Sequence, residues 1–436
     1  MCVIAHDTLL SIKNDHMNRF LSLPYITSGF IAVLIGYSSA AAIVYQAALA
    51  SGADTAKAAS WMWAVGVGMG VCGIALSLRF KAPIIIAWST PGAALLVTSL
   101  PGVSIGEAVG AFLFSSALLT ICGITGWFEK IMKLVPVSIA SAMLAGVLLQ
   151  FAFNAFSSME SNFFLTGAMI FTYLIGKRIT ARYAIPLTLL VGIAVAAGQG
   201  LLKSTLPKFA ITVPVWTTPE LNWPVLLGVG FPLFVVTMAS QNIPGIAVLR
   251  AHGYQTPASP LISWSGITGL ITAPFGGFAF NLAAITAAIC MGKEIDPDPS
   301  KRYGAAIWAG VFYISVGILG STITDLFAMF PIELIMTIAG LALLGTISNA
   351  MSNALSEEND REAAFLTFVI TASGVTLFSI GAPFWGLVVG LMINILNKKT
   401  IKLGLKDHGF GTIWEKSNHL RLLKRAWESF SDGTGC

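Results

Sequence analysis

Runs of about twenty apolar residues, the length a helix needs to cross a bilayer, recur along almost the whole chain. In the first half they fall near 28–50, 58–78, 83–99, 105–125, 136–156, 162–180 and 184–202. In the second they fall near 224–249, 258–274, 275–291, 303–323, 331–353, 362–381 and 383–397. A more polar connection from Lys203 to Trp223, with Pro207, Pro214 and Pro219, separates the two sets. Segments 83–99 and 275–291 are short and break the pattern. Pro83-Ile-Ile-Ile-Ala-Trp-Ser-Thr-Pro-Gly-Ala-Ala-Leu-Leu96 places residues suited to extended structure before a polar pair and then small helix formers. Phe275-Gly-Gly-Phe-Ala-Phe-Asn-Leu-Ala-Ala-Ile-Thr286 repeats that order. Inside a bilayer, non-helical backbone is tolerated only where it lines a cavity or is buried in protein. Two interrupted segments at corresponding places in two halves point to a transporter's midplane site.

The halves resemble each other in detail. Ser60-Trp-Met-Trp63 corresponds to Ser263-Trp-Ser265, and Leu134-Val-Pro-Val137 to Met329-Phe-Pro-Ile332. Ala145-Gly146 and Ala339-Gly340 follow, with Glu129 and Asp325 shortly upstream. A repeat with an odd number of spans enters the membrane from opposite sides in its two copies, so seven plus seven predicts an inverted repeat. The expected fold is therefore an all-α polytopic membrane protein of fourteen segments, with short strands and half-helices in segments 3 and 10. Residues 1–27 form a cytoplasmic N-terminus, 28–203 the first repeat and 204–223 an extracytoplasmic linker. Residues 224–397 form the second repeat and 398–436 a cytoplasmic tail.

Composition agrees: 56% of the 436 residues are hydrophobic and 10% charged, against roughly a quarter charged in soluble domains. The net charge of +5 gives no argument for nucleic acid. The placement of charge is more informative. With both termini inside, all of the 25 lysines and arginines except Lys57, Lys203 and Lys208 fall on the cytoplasmic side, as the positive-inside rule requires. Cys72, Cys122 and Cys290 lie in apolar segments, with Cys2 and Cys436 at the ends. They show no metal or disulfide spacing and read as reduced packing residues. Leu420, Leu423, Trp427 and Phe430 share one helical face, with Arg421, Lys424 and Arg425 around it. That pattern fits a basic amphipathic helix on the inner leaflet, or a frayed tail with a chance stripe.

No enzyme constellation is present. His6, His16, His252, His408 and His419 are all terminal or in loops. The chain has no phosphate-cradling glycine-lysine loop, which argues against ATP-driven pumping, and no cofactor is expected. Segments 28–50, 83–99, 224–249 and 275–291 contain no Asp, Glu, Lys, Arg or His. Their polar residues include Ser38, Ser39, Tyr45, Gln46, Ser89, Thr90, Thr237, Ser240, Gln241, Asn242, Asn281 and Thr286. Neutral donors beside helix N-termini suit a small anion. Tyr37, Trp88, Phe278 and Phe280 supply an apolar slot for a ring, so the expected substrate is a small aromatic carboxylate. Ser and Thr are also ordinary glue between membrane helices, and membrane aromatics mostly face lipid or core. Two adjacent amides, Gln241 and Asn242, are costly in hydrocarbon without partners. Glu107 completes a capping box, Ser104-Ile-Gly-Glu107, and reads as structural. Asp325 and Glu333, near the outer ends of their segments, are candidate proton relays.

Ile86-Ala-Trp-Ser-Thr-Pro-Gly92, Ala239-Ser-Gln-Asn-Ile-Pro-Gly245 and Gly276-Gly-Phe-Ala-Phe-Asn-Leu-Ala283 resemble the bacterial benzoate:proton symporter (BenE/YdcO-type) family across residues 20–398. The resemblance implies a fold similar to that of the uracil:proton symporters. There a core domain carries segments 1–4 and 8–11, a gate domain carries 5–7 and 12–14, and substrate binds between short strands of segments 3 and 10. It implies proton-coupled import across the bacterial inner membrane, and related folds often pair as homodimers through the gate. Gln241 and Asn281 fall where nucleobase carriers typically have glutamates. The substrate-binding set expected is then Ser89, Thr90, Gln241, Asn242, Asn281, Phe280, Tyr37 and Ser39. A carrier for another small anion or a nucleobase-like ring, and a passive anion channel, are the alternatives.

Overall fold

A computed structural model of the chain describes residues 22–127, 136–179, 183–203, 209–378 and 380–402. The N-terminus, the stretch Glu129–Val135 of the internal likeness, and the tail around Leu420 lie outside the described residues. The first half carries α1 (Leu23–Ala50), α2 (Thr55–Phe80), β1 (Ile86–Trp88), α3 (Thr90–Ser99), α4 (Ile105–Ile124), α5 (Val137–Ser161), α6 (Phe163–Ile179) and α7 (Ala184–Gly198). The second begins with α8 (Trp223–Ala251), then α9 (Ala258–Thr272), β2 (Phe280–Leu282), α10 (Ile285–Ile289) and α11 (Tyr303–Ile318). It ends with α12 (Gly320–Met329), α13 (Ile332–Ser356), α14 (Arg361–Ala372) and α15 (Ala382–Lys402).

Local chemistry explains the boundaries. Asp54 caps α2 by accepting from the Lys57 N–H at 2.8 Å. Ser104 and Glu107 form the expected capping box at the start of α4. The long α8 widens into π turns at Leu226–Gly230 and Met238–Asn242. Each lies just before a proline, Pro232 or Pro244. A proline inside a helix lacks the N–H and crowds the carbonyl four residues back, which a π turn relieves.

Among the described residues, five helices are long and apolar enough to cross a membrane alone, and seven if two bent pairs each count as one span. This is fewer than the fourteen apolar segments because several are half-length. β1–α3 and β2–α10 divide their segments, and α14 has 12 residues. Segment 11 turns by 64° between α11 and α12.

The helix pairing follows the expected two-fold relation. α2 packs on α11, α4 on α9, and α5 on α13. Exchanging the halves carries the first pair onto the second and the third onto itself. The contacts use small residues, as membrane helices do. A Cβ on Gly66 of α2 would lie 2.6 Å from the Gly317 Cα of α11, and one on Gly123 of α4 would lie 2.4 Å from the Ser263 Oγ of α9.

Candidate functional site

The two interrupted segments meet. β1 and β2 are antiparallel, with Ile86 opposite Leu282, Ala87 opposite Asn281 and Trp88 opposite Phe280. The ladder is extended at both ends, where the Ser89 N–H donates to Ala279 O and the Ala283 N–H to Ile85 O, each at 3.0 Å. Ala279 adopts a left-handed φ of 47°. For a residue with a Cβ this costs of the order of 1 kcal/mol and recurs at functional sites.

The polar candidates divide into two groups. Ser89 is fully buried, and its Oγ accepts from the Gly92 N–H at 3.0 Å. It is the N-cap of α3. The Ala93 N–H is bonded to Ser89 O and Pro91 has no N–H, so Thr90 is left to present a donor at this helix end. Asn242 is also fully buried; its Oδ1 accepts from the Leu282 N–H at 3.0 Å, and its Nδ2 reaches Met238 Sδ at 3.6 Å. A buried amide is thus matched to the strand N–H that the ladder leaves unpaired. Asn281 donates from Nδ2 to Ala279 O at 3.0 Å, while its Oδ1 is buried without a hydrogen-bond partner. Asn281 lies within the strand, not at a helix N-terminus, because α10 starts only at Ile285. Phe280 alternates to the opposite face and packs where a Cβ on Gly68 would meet its ring at 2.6 Å. It belongs to the core, as does Phe278, whose ring centroid is 5.5 Å from that of Phe112.

Beside the strand pair lies a cavity of about 590 Å³. Trp88, Thr90, Ser240, Gln241, Thr286 and Tyr313 line one side, and Ser141, Thr346, Asn349 and Asn353 of α5 and α13 line the other. Among the described residues lining this strand cavity there is no Asp, Glu, Lys, Arg or His. Gln241 is half-buried there, with Nε2 at 3.4 Å from Ser240 Oγ. Tyr37 stands behind the wall, edge-on to Trp88 with centroids 5.0 Å apart and its hydroxyl 3.8 Å from Met62 Sδ. The side chain of Ser39 lies outside the described residues. Asp325 lies near Tyr45, and neither it nor Glu333 lines this cavity.

A second cavity of about 730 Å³ is lined by Val97, Thr98 and Ser99 at the other end of α3, by Glu107 and Asn222, by Gln150 and Asn154, and by residues between Thr371 and Pro383. α3 and α5 run from one cavity to the other. Thr90, Ser141 and Leu144 line the first, whereas Val97, Gly146, Val147 and Asn154 line the second. Pro91–Leu96 of α3 are buried between them. The two spaces are ends of one seam, closed by about 10 Å of apolar half-helix at 1.5 Å per residue.

A family model described as benzoate membrane transport protein matches residues 19–396. The chain belongs to that family. Inner membrane protein YdcO of Escherichia coli (strain K12) is 47% identical over 367 residues, covering 84% of this chain and 94% of the relative. The benzoate membrane transport protein of Acinetobacter baylyi (strain ATCC 33305 / BD413 / ADP1) is 39% identical over 371 residues, covering 85% and 94%. Among solved structures, SLC26A9 is similar with a TM-score of 0.59 at 11% identity; the match covers 86% of this chain and 65% of that one. The transmembrane domain of the cyanobacterial bicarbonate transporter BicA is similar with a TM-score of 0.55 at 14% identity, covering 86% and 97%. At such identities the likeness is one of fold. This chain is thus a multi-pass membrane transporter, with the helical inverted-repeat architecture of those structures.

Within this benzoate-family chain, several cavity residues are absent from the sequence expectation. Tyr313 reaches the cavity from α11, where its hydroxyl lies beside Gly36 and Thr286. Thr346, Asn349 and Asn353 form a polar stripe at helical spacing on α13. That spacing was the available signal, hidden because α13 contains no broken motif.

Proposed function

We propose that the protein imports benzoate or a similar aromatic carboxylate together with a proton, by alternating access across the bacterial inner membrane. The observation that carries this is the strand cavity: an indole wall, neutral donors and no charged side chain, in a member of a benzoate transport family. Thr90, at the positive end of the α3 half-helix dipole, and Gln241 hold the carboxylate, and Trp88 faces the ring. Ser89 and Asn242 act indirectly, by fixing the half-helix and the strand. The name of the Acinetobacter relative supports the substrate class.

The proton travels on the substrate: the carboxylate held by Thr90 and Gln241 takes a proton from solvent in the open cavity and crosses as the neutral acid. Without a carboxylate in the cavity wall, coupling through a side chain would need Asp325 or Glu333, neither of which reaches the cavity. Asn281 is fully buried and does not line the cavity; its unpaired Oδ1, behind the wall residue Ala87 that it opposes in the ladder, is the acceptor that a protonated carboxyl needs once the strand crossing shifts. Alternating access follows if a core domain of segments 1–4 and 8–11 slides along a gate domain of segments 5–7 and 12–14. The slide would shift the buried middle of α3 relative to α5 and move the site from one cavity toward the other.

The test is uptake of labelled benzoate into proteoliposomes with and without an inward proton gradient. Gradient-driven accumulation supports the reading. Uptake that only equilibrates supports a channel or uniporter, and absence of uptake by folded protein removes the substrate assignment. An Asn281→Ala protein with wild-type uptake would remove Asn281 from the site.

A further inference from the structure

The larger cavity contains no residue that the transport reading uses. Its wall nevertheless repeats a feature of the strand cavity. α5 and α13 have 25 residues each and follow Pro136 and Pro331. Equally far along them stand Asn154-Ala-Phe-Ser-Ser158 and Asn349-Ala-Met-Ser-Asn353. The alanines are buried, Ala155 at 0% and Ala350 at 3% exposure, and the asparagine before each lines a cavity: Asn154 the larger and Asn349 the smaller. Ser141 and Asn154 lie on one helix but in different cavities, about 20 Å apart along it at 1.5 Å per residue.

We propose that Asn154 and Asn349 are symmetry-related substrate contacts, one at each mouth of the path, and that the larger cavity is a second, weaker binding place for the same carboxylate. This rests on the transport reading above. Asn154 Oδ1 accepts from Gln150 Nε2 at 2.9 Å, which turns its Nδ2 into the donor offered to a ligand. The Asn222 Nδ2 is already engaged with Glu107 Oε1 at 2.6 Å, and Glu107 Oε2 accepts from the Ser104 N–H at 3.0 Å. Glu107 is the charged group among the described residues lining this cavity, and its like charge keeps a carboxylate here loosely held. The strand cavity lacks such a charge and holds the carboxylate more tightly. Loose holding at the mouth and tighter holding at the strands give a downhill approach to the site.

Kinetics in oriented proteoliposomes, with substrate presented at either face, test the pairing. Asn154→Ala is expected to raise KM about five-fold at one face only, as the loss of one hydrogen bond of about 1 kcal/mol gives. Asn349→Ala is expected to do the same at the opposite face, and Asn154→Asp to exceed Asn154→Ala at the same face. Equal effects at both faces, or none, would overturn the proposal. A readout independent of transport is labelling of Asn154→Cys and Asn349→Cys by a membrane-impermeant maleimide, in protein also carrying Cys2→Ser and Cys436→Ser. The remaining cysteines, Cys72, Cys122 and Cys290, are buried. Labelling from opposite faces, slowed by benzoate, is expected. Labelling from one shared face overturns the pairing, as does opposite-face labelling that benzoate leaves unslowed in protein that transports it. If wild type carries no benzoate and labelling is still from opposite faces, the substrate reading fails and the paired mouths stand.

Discussion

The two strand–helix crossings perform the same task with different rigidity. β1 runs into a ten-residue helix whose first turn is closed by Ser89 and stiffened by Pro91. β2 is preceded by Gly276 at φ 94° and Ala279 at φ 47°, and runs into a five-residue helix without a side-chain cap. The first crossing caps its helix from within, through Ser89. The second depends on a neighbour, Asn242 of α8, and leaves Asn281 Oδ1 unpaired. The comparison separates polar residues that build the site from those with capacity left for a ligand: Ser89 and Asn242 are spent, whereas Thr90, Gln241 and Asn281 are not.

That division can be broken by mutation. The largest effect is expected from Gly276→Ala, where a Cβ would sit 1.9 Å from Trp61 Cδ1 on a left-handed backbone. A loss above about 3 kcal/mol should appear as failure to recover monodisperse protein in detergent. Next comes Asn242→Ala, which strands the buried Leu282 N–H. A cost of about 1–3 kcal/mol should lower the thermal unfolding midpoint and reduce uptake in proportion to folded protein. Ser89→Ala removes the cap for about 1 kcal/mol, and Ser89→Gly should cost only a few tenths; unfolding midpoints of the two variants test the cap assignment. A smaller change in stability than that of Asn242→Ala is expected from Asn281→Ala, which forfeits one bond to Ala279 O. Its KM for aromatic carboxylate should nevertheless rise about ten-fold, the worth of a hydrogen bond to a charged or acidic group. Equal losses of stability in Asn242→Ala and Asn281→Ala would erase the distinction between builder and ligand contact.

Much of this was legible in the chain. The apolar periodicity, the capping box at Ser104 and Glu107, and the twin breaks at Ser89 and Asn281 are local signals. Each rests on the requirement that backbone in a membrane be hydrogen-bonded. The family likeness is carried by contiguous motifs around the same breaks. Other site features were not legible. Phe280 reads as a ring for the substrate, yet strand alternation turns it toward Gly68. Asn242 reads as a ligand equal to Gln241, yet the π turn at Met238–Asn242 aims the two at different partners.

The sequence by itself determined that the chain lives in a membrane, that it is built from two related halves, and where helix gives way to extended backbone. These follow from composition and from interactions a few residues apart. Only the tertiary structure decided which polar atoms remain unpaired and which helices face one another across the seam. It alone placed Tyr313, Asn154 and Asn349 against cavities. A side chain's freedom to bind depends on partners far away in sequence, such as Asn242 and Leu282. No local pattern encodes that distance.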